Sequence, residues 1–187
     1  KYAIHTKGME PPAYDVRGMK GHGLAYMTST RGADHLRAGF YAPELVGKFW
    51  KWEGIDRFSA VGKGPMVATM ENFMCVYDSV GLCKFSRGFF LIAKLPEILE
   101  AITGLKFTED ELLKIGERVH NMKGSFNYRE GVTRKDWLLP TRILQEPIPE
   151  GVSKGSKISV EEMNMMLDDY MNARGWTKDG QPTPEKL

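Results

Sequence analysis

The chain has 187 residues, 42% apolar and 27% charged, and its 26 basic and 24 acidic side chains leave a net charge of +2. That balance excludes bulk electrostatic attraction to nucleic acid or to an anionic membrane. No apolar run approaches the ~20 residues a membrane-spanning helix needs, and the size suits one domain or two small ones.

In chain order, residues 1–17, "KYAIHTKGMEPPAYDVR", predict an extended arm, because Pro11 and Pro12 forbid a helix there. Residues 18–30 predict a helix whose glycines either weaken it or allow a close backbone approach. A short helix is expected over 43–52 with Pro43 at its start. A stronger pattern covers 65–80. Pro65 suits the first helical position there, Met66, Met70, Phe73 and Tyr77 share one face, and Gly81 suits the left-handed position beyond the end. Residues 89–92, "FFLI", have the composition of a strand but are too few to decide.

A short helix over 96–103 is closed by Gly104. Thr108 and Glu111 form a capping box that opens a helix to about residue 123, with Leu112, Ile115 and Val119 on its apolar face. Residues 131–158, with Pro140, Pro147 and Pro149, read as irregular coil over the surface. Ser159 and Glu162 form a second capping box. Its helix runs to about Arg174, stops at Gly175, and carries Met163, Met166, Leu167 and Tyr170 as its stripe. The expected fold class is all-α, an irregular multihelical domain with long connections.

Cys75 and Cys83, with seven residues between them, are the two cysteines of the chain. They are too few for a disulfide framework, which favours the cytoplasm, and too few for a four-thiolate metal site. Cys75 lies inside a helix and reads as core. Cys83, two residues past the helix end, is either a buried thiol among Phe85, Phe89 and Phe90 or a thiolate assisted by Lys84 and Arg87. Asp78 is oddly placed. A carboxylate in the last turn of a helix is disfavoured by ~0.3–1 kcal/mol, so it is either solvated or matched by donors from elsewhere. His5, His22, His35 and His120 form no metal-binding pair at helical spacing, and His120 is expected on an exposed face. His35, in "RGADHLR", sits in a loop-like stretch and has the side chain best suited to proton transfer near neutral pH. The glycines of "RGMKGHG" match no phosphate-binding loop.

"DSVGLCKF" at 78–85 resembles the Asp-x-x-Gly-Leu-Cys motif of the aldehyde ferredoxin oxidoreductase family. "KGMEPPAYDVRGMKGHGLAYMTSTRGADHLR", "SFNYREGVTRKDWLLPTR" and "YMNARGWTKDGQPTPEKL" are similar, in order, to further segments of that family. The resemblance covers nearly the whole chain. It implies a tungsten (or molybdenum) bis-pterin and a 4Fe-4S cluster, with an aldehyde as substrate and ferredoxin as electron acceptor. It further implies that residues 1–187 are one helical C-terminal domain of a longer cytoplasmic enzyme, a possible homodimer, whose other domains lie upstream.

By the same resemblance, Cys83 is the fourth cluster ligand, Asp78 accepts hydrogen bonds from pterin N–H groups, Leu82 presents its backbone to the pterin, and His35 stands near the metal as proton acceptor. Taken alone, the chain would lack three cluster ligands and most of the pterin site, and would act as a non-catalytic module. The alternative within the enzyme class is the tungsten subunit of an aromatic acyl-CoA reductase. Two departures from the family pattern stand out: Lys123–Gly124 before "SFNYR", and Trp137 after Asp136.

Overall fold

In a computed structural model of the chain, residues 3–88 and 92–186 are described. Seven α-helices run through them: α1 (Lys20–Thr28), α2 (Tyr41–Val46), α3 (Lys63–Ser79), α4 (Leu95–Thr103), α5 (Glu109–Arg129), α6 (Thr141–Gln145) and α7 (Val160–Arg174). Two-residue strands β1 (Lys48–Phe49) and β2 (Trp52–Glu53) pair antiparallel in the only sheet among the described residues. The all-α expectation holds, and no described helix is long and apolar enough to cross a membrane.

α3 is the central element, packed by α5, α7 and α1. Its stripe of Met70, Phe73 and Tyr77 is 1%, 3% and 0% exposed, so the 3.6-residue pattern does point inward. The helix begins two residues earlier than expected, after Gly62 in a left-handed conformation, and Pro65 is its third residue. Gly81 takes the expected positive φ of 72°. Its N–H reaches the Asp78 carbonyl at 3.3 Å, and the Leu82 N–H reaches the Tyr77 carbonyl at 3.0 Å. This turn ends α3 and aims the chain at Cys83.

Both capping boxes form. The Thr108 and Ser159 hydroxyls accept from the N–H groups of Glu111 and Glu162, whose carboxylates reach back to the cap N–H groups. Gly104 and Gly175 close α4 and α7 in left-handed conformations. α1 is a helix, and its glycines also admit close neighbours. A Cβ on Gly21 would stand 2.4 Å from Phe40, and one on Gly23 would stand 2.5 Å from Ile158. The buried Glu44 carboxylate accepts from the N–H groups of Gly21 and His22, each at 2.9 Å, and so satisfies the first turn of α1. Lys63, itself buried, pairs with Glu44 at 2.8 Å.

Several boundaries differ from the sequence expectation. The helix expected over 43–52 begins at Tyr41 and ends at Val46, because Gly47 turns left-handed and the next residues pair as β1 and β2. Residues 89–91 of "FFLI" lie outside the described residues, and Ile92 opens a short 3-10 turn. Residues 131–158 are more than surface coil: they contain α6 and drive Trp137, Leu139 and Ile158 into the core.

α5 continues to Arg129, past the expected end near 123, and it buries a second face made of Gly116, His120, Asn121 and Gly124. His120 is therefore 3% exposed rather than on a solvated face. Gly116 and Gly124, eight residues and about two turns apart on this face, let neighbours approach, a signal that apolar periodicity does not carry. A Cβ on Gly116 would sit 2.1 Å from the Asn72 carbonyl oxygen, and one on Gly124 would sit 2.3 Å from the Trp176 ring. The Gly116→Ala variant should force α3 and α5 apart and lose about 1–3 kcal/mol, read from its urea midpoint. A midpoint equal to wild type would mean that the two helices are not held this close.

Candidate functional site

Two loops meet at one edge of the helical core. The first leads from α1 to α2 and carries His35. The second follows α3 and carries Asp78, Leu82 and Cys83. Asp34, almost fully buried, organises the first loop. It accepts from the Leu36 N–H at 2.9 Å and from Arg31 and Arg37 at 2.7 and 2.8 Å, and it stands 4.0 Å from His35 Nδ1. These donors hold its carboxyl below the usual range against the opposing effect of burial. Arg37 then reaches across to Asp78 at 3.3 Å.

Asp78 is offset by cations as well as by solvent. Lys84 lies 2.7 Å from one carboxylate oxygen, and Arg37 and Lys123 lie 3.3 and 3.9 Å from the other. Three positive side chains answer the unfavourable end of the α3 dipole. Lys84 also donates to the Met74 carbonyl at 2.5 Å, which ties the cysteine turn back onto the helix. The side chain of Asp78 remains 33% exposed, so its oxygens keep acceptor capacity.

Cys83 is a free, exposed thiol rather than a buried one, and its neighbour Phe85 is 79% exposed. Cys75 is core, as its sequence position indicates; burial raises its thiol above the ordinary value. No group of three His, Cys, Asp or Glu side chains among the described residues could hold a metal by itself.

Behind His35 lies a cluster that the sequence patterns did not mark. Tyr14 and Tyr41 stack at 4.5 Å between centroids, 20° from parallel. His35 lies against both at 5.5 and 5.9 Å, and His22 meets both edge-on at 5.6 and 5.4 Å. Tyr26 lies 4.5 Å from His22. Arg87, from the turn after Cys83, donates to the Tyr41 hydroxyl at 2.7 Å and joins this cluster to the cysteine loop. These residues come from the arm, α1, α2 and two loops, so no local spacing connects them.

Burial lowers the proton affinity of His35. The Arg87 charge lowers it further, and Asp34 opposes both. His22 is completely buried and lowered to about 3. His120, buried near Arg174, Lys123 and Lys7, is also held well below its ordinary value. In the unfolded chain both imidazoles would take a proton near pH ~6.5. Below that pH the unfolded state binds more protons, so stability should fall by about 1.4 kcal/mol per pH unit for each histidine. Urea unfolding between about pH 7 and pH 5 checks this, and His22→Phe should remove one proton's share of the slope. An unchanged slope would mean that His22 is charged in the fold.

Two open grooves among the described residues lie elsewhere: about 690 Å³ beside Val152–Ser159, and about 480 Å³ between the N-terminal arm and residues 135–142.

Fold and edge together define an all-α domain that gathers a thiol, a charge-balanced carboxylate and a histidine–tyrosine cluster on one side. The family model described as aldehyde ferredoxin oxidoreductase, domains 2 & 3, matches residues 1–187. Tungsten-containing aldehyde ferredoxin oxidoreductases of Pyrococcus horikoshii and Pyrococcus furiosus are each 38% identical, over 100% and 99% of this chain and 30% of their own length. The WOR-like subunit of an aliphatic sulfonate oxidoreductase from Pyrococcus furiosus is 27% identical over the whole chain and 27% of its own. The active-site complex of benzoyl coenzyme A reductase shares the fold, with a TM-score of 0.57 at 20% identity, over 99% of this chain and 27% of that one.

The chain belongs to the aldehyde ferredoxin oxidoreductase family, a family of oxidoreductases. It spans about 30% of the length of the curated aldehyde ferredoxin oxidoreductases it matches. The two departures from the family pattern have structural roles here. Lys123 faces Asp78, Gly124 makes room for Trp176, and Trp137 is a core side chain.

Proposed function

We propose that this chain is the C-terminal helical part of a tungsten- or molybdenum-pterin, iron–sulfur oxidoreductase that oxidises aldehydes to carboxylic acids and passes the electrons to ferredoxin. The observation that carries the reading is the bridge Asp34–Arg37–Asp78. It locks the His35 loop to the Asp78–Cys83 turn, so that the candidate residues share one edge.

The residues fit the groups. Cys83 is an exposed thiol on the turn after α3, where a cluster iron could reach it. It supplies one ligand, and the others would come from outside this chain. Asp78 has spare lone pairs for pterin N–H donors. The Leu82 N–H is already committed to Tyr77, so Leu82 would offer its carbonyl and side chain. Tungsten-pterin and cluster, when bound, supply the two-electron oxidation and the one-electron exit. His35 would take a proton on Nε2, with Nδ1 turned towards Asp34.

The acyl-CoA reductase alternative shares the fold at 20% identity, against 38% identity to the aldehyde oxidoreductases. Metal analysis of the anaerobically purified full-length enzyme tests the reading. Tungsten or molybdenum together with cluster iron is expected, and active protein lacking both tungsten and molybdenum would contradict it.

A further inference from the structure

Residues 29–40, between α1 and α2, form no helix or strand of their own, yet they carry Asp34, His35 and Arg37, on which the candidate edge depends. Such a loop keeps one conformation only where other elements hold it. Two pins stand at its root. Lys7 Nζ donates to the carbonyls of Met27 and Ser29, the latter at 2.8 Å, and so caps the end of α1 where the loop begins. One residue further on, Asn127 of α5 donates to the Thr30 carbonyl at 2.6 Å.

Lys7 stands in an unfavourable place. Its φ is +50°, in the left-handed region that a side chain disfavours, and with Trp50 it is one of two non-glycine residues so placed among the described residues. Its amine lies over the Trp137 ring, 5.0 Å from the centroid. Burial lowers its pKa to about 7, although Glu71 and Asp136 oppose the shift. Charged or neutral, the amine has hydrogens for both carbonyls. Backbone strain of this kind persists where the surroundings over-determine it, and it concentrates where a fixed geometry is needed.

The surroundings do over-determine Lys7. Thr6 and Met9 exchange backbone hydrogen bonds at 3.0 and 3.1 Å and close the hairpin that carries it. Thr6 Oγ1 donates to the Leu138 carbonyl at 3.3 Å and fastens the hairpin to the segment before α6. On the loop side, a Cβ on Gly32 would stand 2.5 Å from the Thr6 carbonyl oxygen and 2.7 Å from the Met9 Cβ. The Gly32 carbonyl in turn accepts from the Asp34 N–H at 2.6 Å. Contacts therefore run without a gap from the hairpin to the carboxylate that faces His35 and holds Arg37.

We propose that Lys7 is a positioning residue for His35: the N-terminal hairpin clamps the root of the His35 loop, and the Lys7 amine pins that root to the end of α1. The meaning of the clamp for catalysis rests on the reading of His35 given above, whereas the clamp itself does not.

The test uses the full-length enzyme as purified and reads hydrogen exchange by mass spectrometry. Lys7→Met keeps the apolar stem and removes the donors. Backbone amides of 30–37 should then exchange about 10- to 100-fold faster, as the loss of one or two hydrogen bonds to otherwise unpaired carbonyls implies. Amides of α7 should keep their wild-type rates. The C2 hydrogen of His35 gives a second readout, because its exchange follows the protonation of the ring. Burial lowers the His35 midpoint in the wild type, so a freed loop should move it up towards the ordinary value of ~6.5. Thr6→Val unfastens the hairpin from Leu138 with an isosteric side chain. It should speed the same amides by about 2- to 10-fold, and it carries the test if Lys7→Met fails to fold. Wild-type exchange over 30–37 in Lys7→Met, or in Thr6→Val where only that variant folds, overturns the clamp. So does faster exchange that extends equally to α7, because that is a loss of global stability. An unmoved His35 midpoint in a loosened Lys7→Met enzyme overturns the positioning of His35. None of these readouts needs turnover or a bound metal. Active enzyme without tungsten or molybdenum would therefore end the proposed function and leave the clamp standing.

Discussion

Replacing Arg174 by Met should destabilise the fold by about 3–5 kcal/mol, the largest loss expected from a single residue outside the candidate site. The Arg174 side chain is 1% exposed and its partner Glu71 is 0% exposed. The guanidinium pairs with Glu71 at 2.7 Å and donates to the Ala68 carbonyl at 2.9 Å, to the Tyr170 hydroxyl at 3.1 Å and to the side chain of Asn72. Glu71 also accepts from Thr28 at 2.7 Å and from Tyr170 at 2.6 Å. One charge pair thus ties α1, α3 and α7 together, and Tyr170 extends it to His120 of α5 at 3.1 Å.

Removing the guanidinium leaves a buried carboxylate without its counter-charge, which costs more than the pair contributed. The double variant Glu71→Met with Arg174→Met removes both charges and should recover much of the loss. Denaturant midpoints of the single and double variants measure this. A single-variant loss below about 1 kcal/mol, the range of exposed pairs, would show that the pair is solvated.

The second large effect concerns the cofactor. In the full-length enzyme, Cys83→Ala should abolish the 4Fe-4S signal in electron paramagnetic resonance and lower the iron content. Cys75→Ser should leave the signal in place at some cost in stability. The contrast follows from placement. Cys83 is exposed on a turn, whereas Cys75 is closed into the α3 core with its thiol proton held by burial. A full cluster signal in Cys83→Ala would remove Cys83 from the ligand set.

Much of the fold was legible wherever one local rule decided the outcome. The α7 stripe, the two capping boxes and the stop glycines 81, 104 and 175 depend on residues within one or two turns of each other, and they stand as the patterns predict. The errors arose where tertiary packing decided. α5 outruns its apolar face because Gly116 and Gly124 let Asn72 and Trp176 come close, and that same face buries His120. Residues 131–158 looked like surface coil because Trp137, Leu139 and Ile158 are isolated anchors without a period.

The candidate site divides in the same way. Asp78, Leu82 and Cys83 are legible because they lie in one short motif, and the helix-dipole argument rightly demanded compensation for Asp78. Its protein partners Arg37, Lys84 and Lys123 come from three separate stretches, two of which no local spacing links to it. His22, Tyr14, Tyr26 and Tyr41 are spread over 28 residues and meet only once α1 and α2 are packed. The sequence signal available for them was the excess of histidine and tyrosine between residues 14 and 41.

The central claim is that the edge joining His35, Asp78 and Cys83 faces the cofactors. Anomalous scattering from crystals of the anaerobic full-length enzyme, recorded at the iron edge and at that of the pterin-bound metal, tests it most directly. The account predicts an iron peak within bonding distance of Cys83 Sγ and the heavier metal on the same side, towards His35. Metal peaks on another face of this domain, such as the groove beside Val152–Ser159, would contradict it.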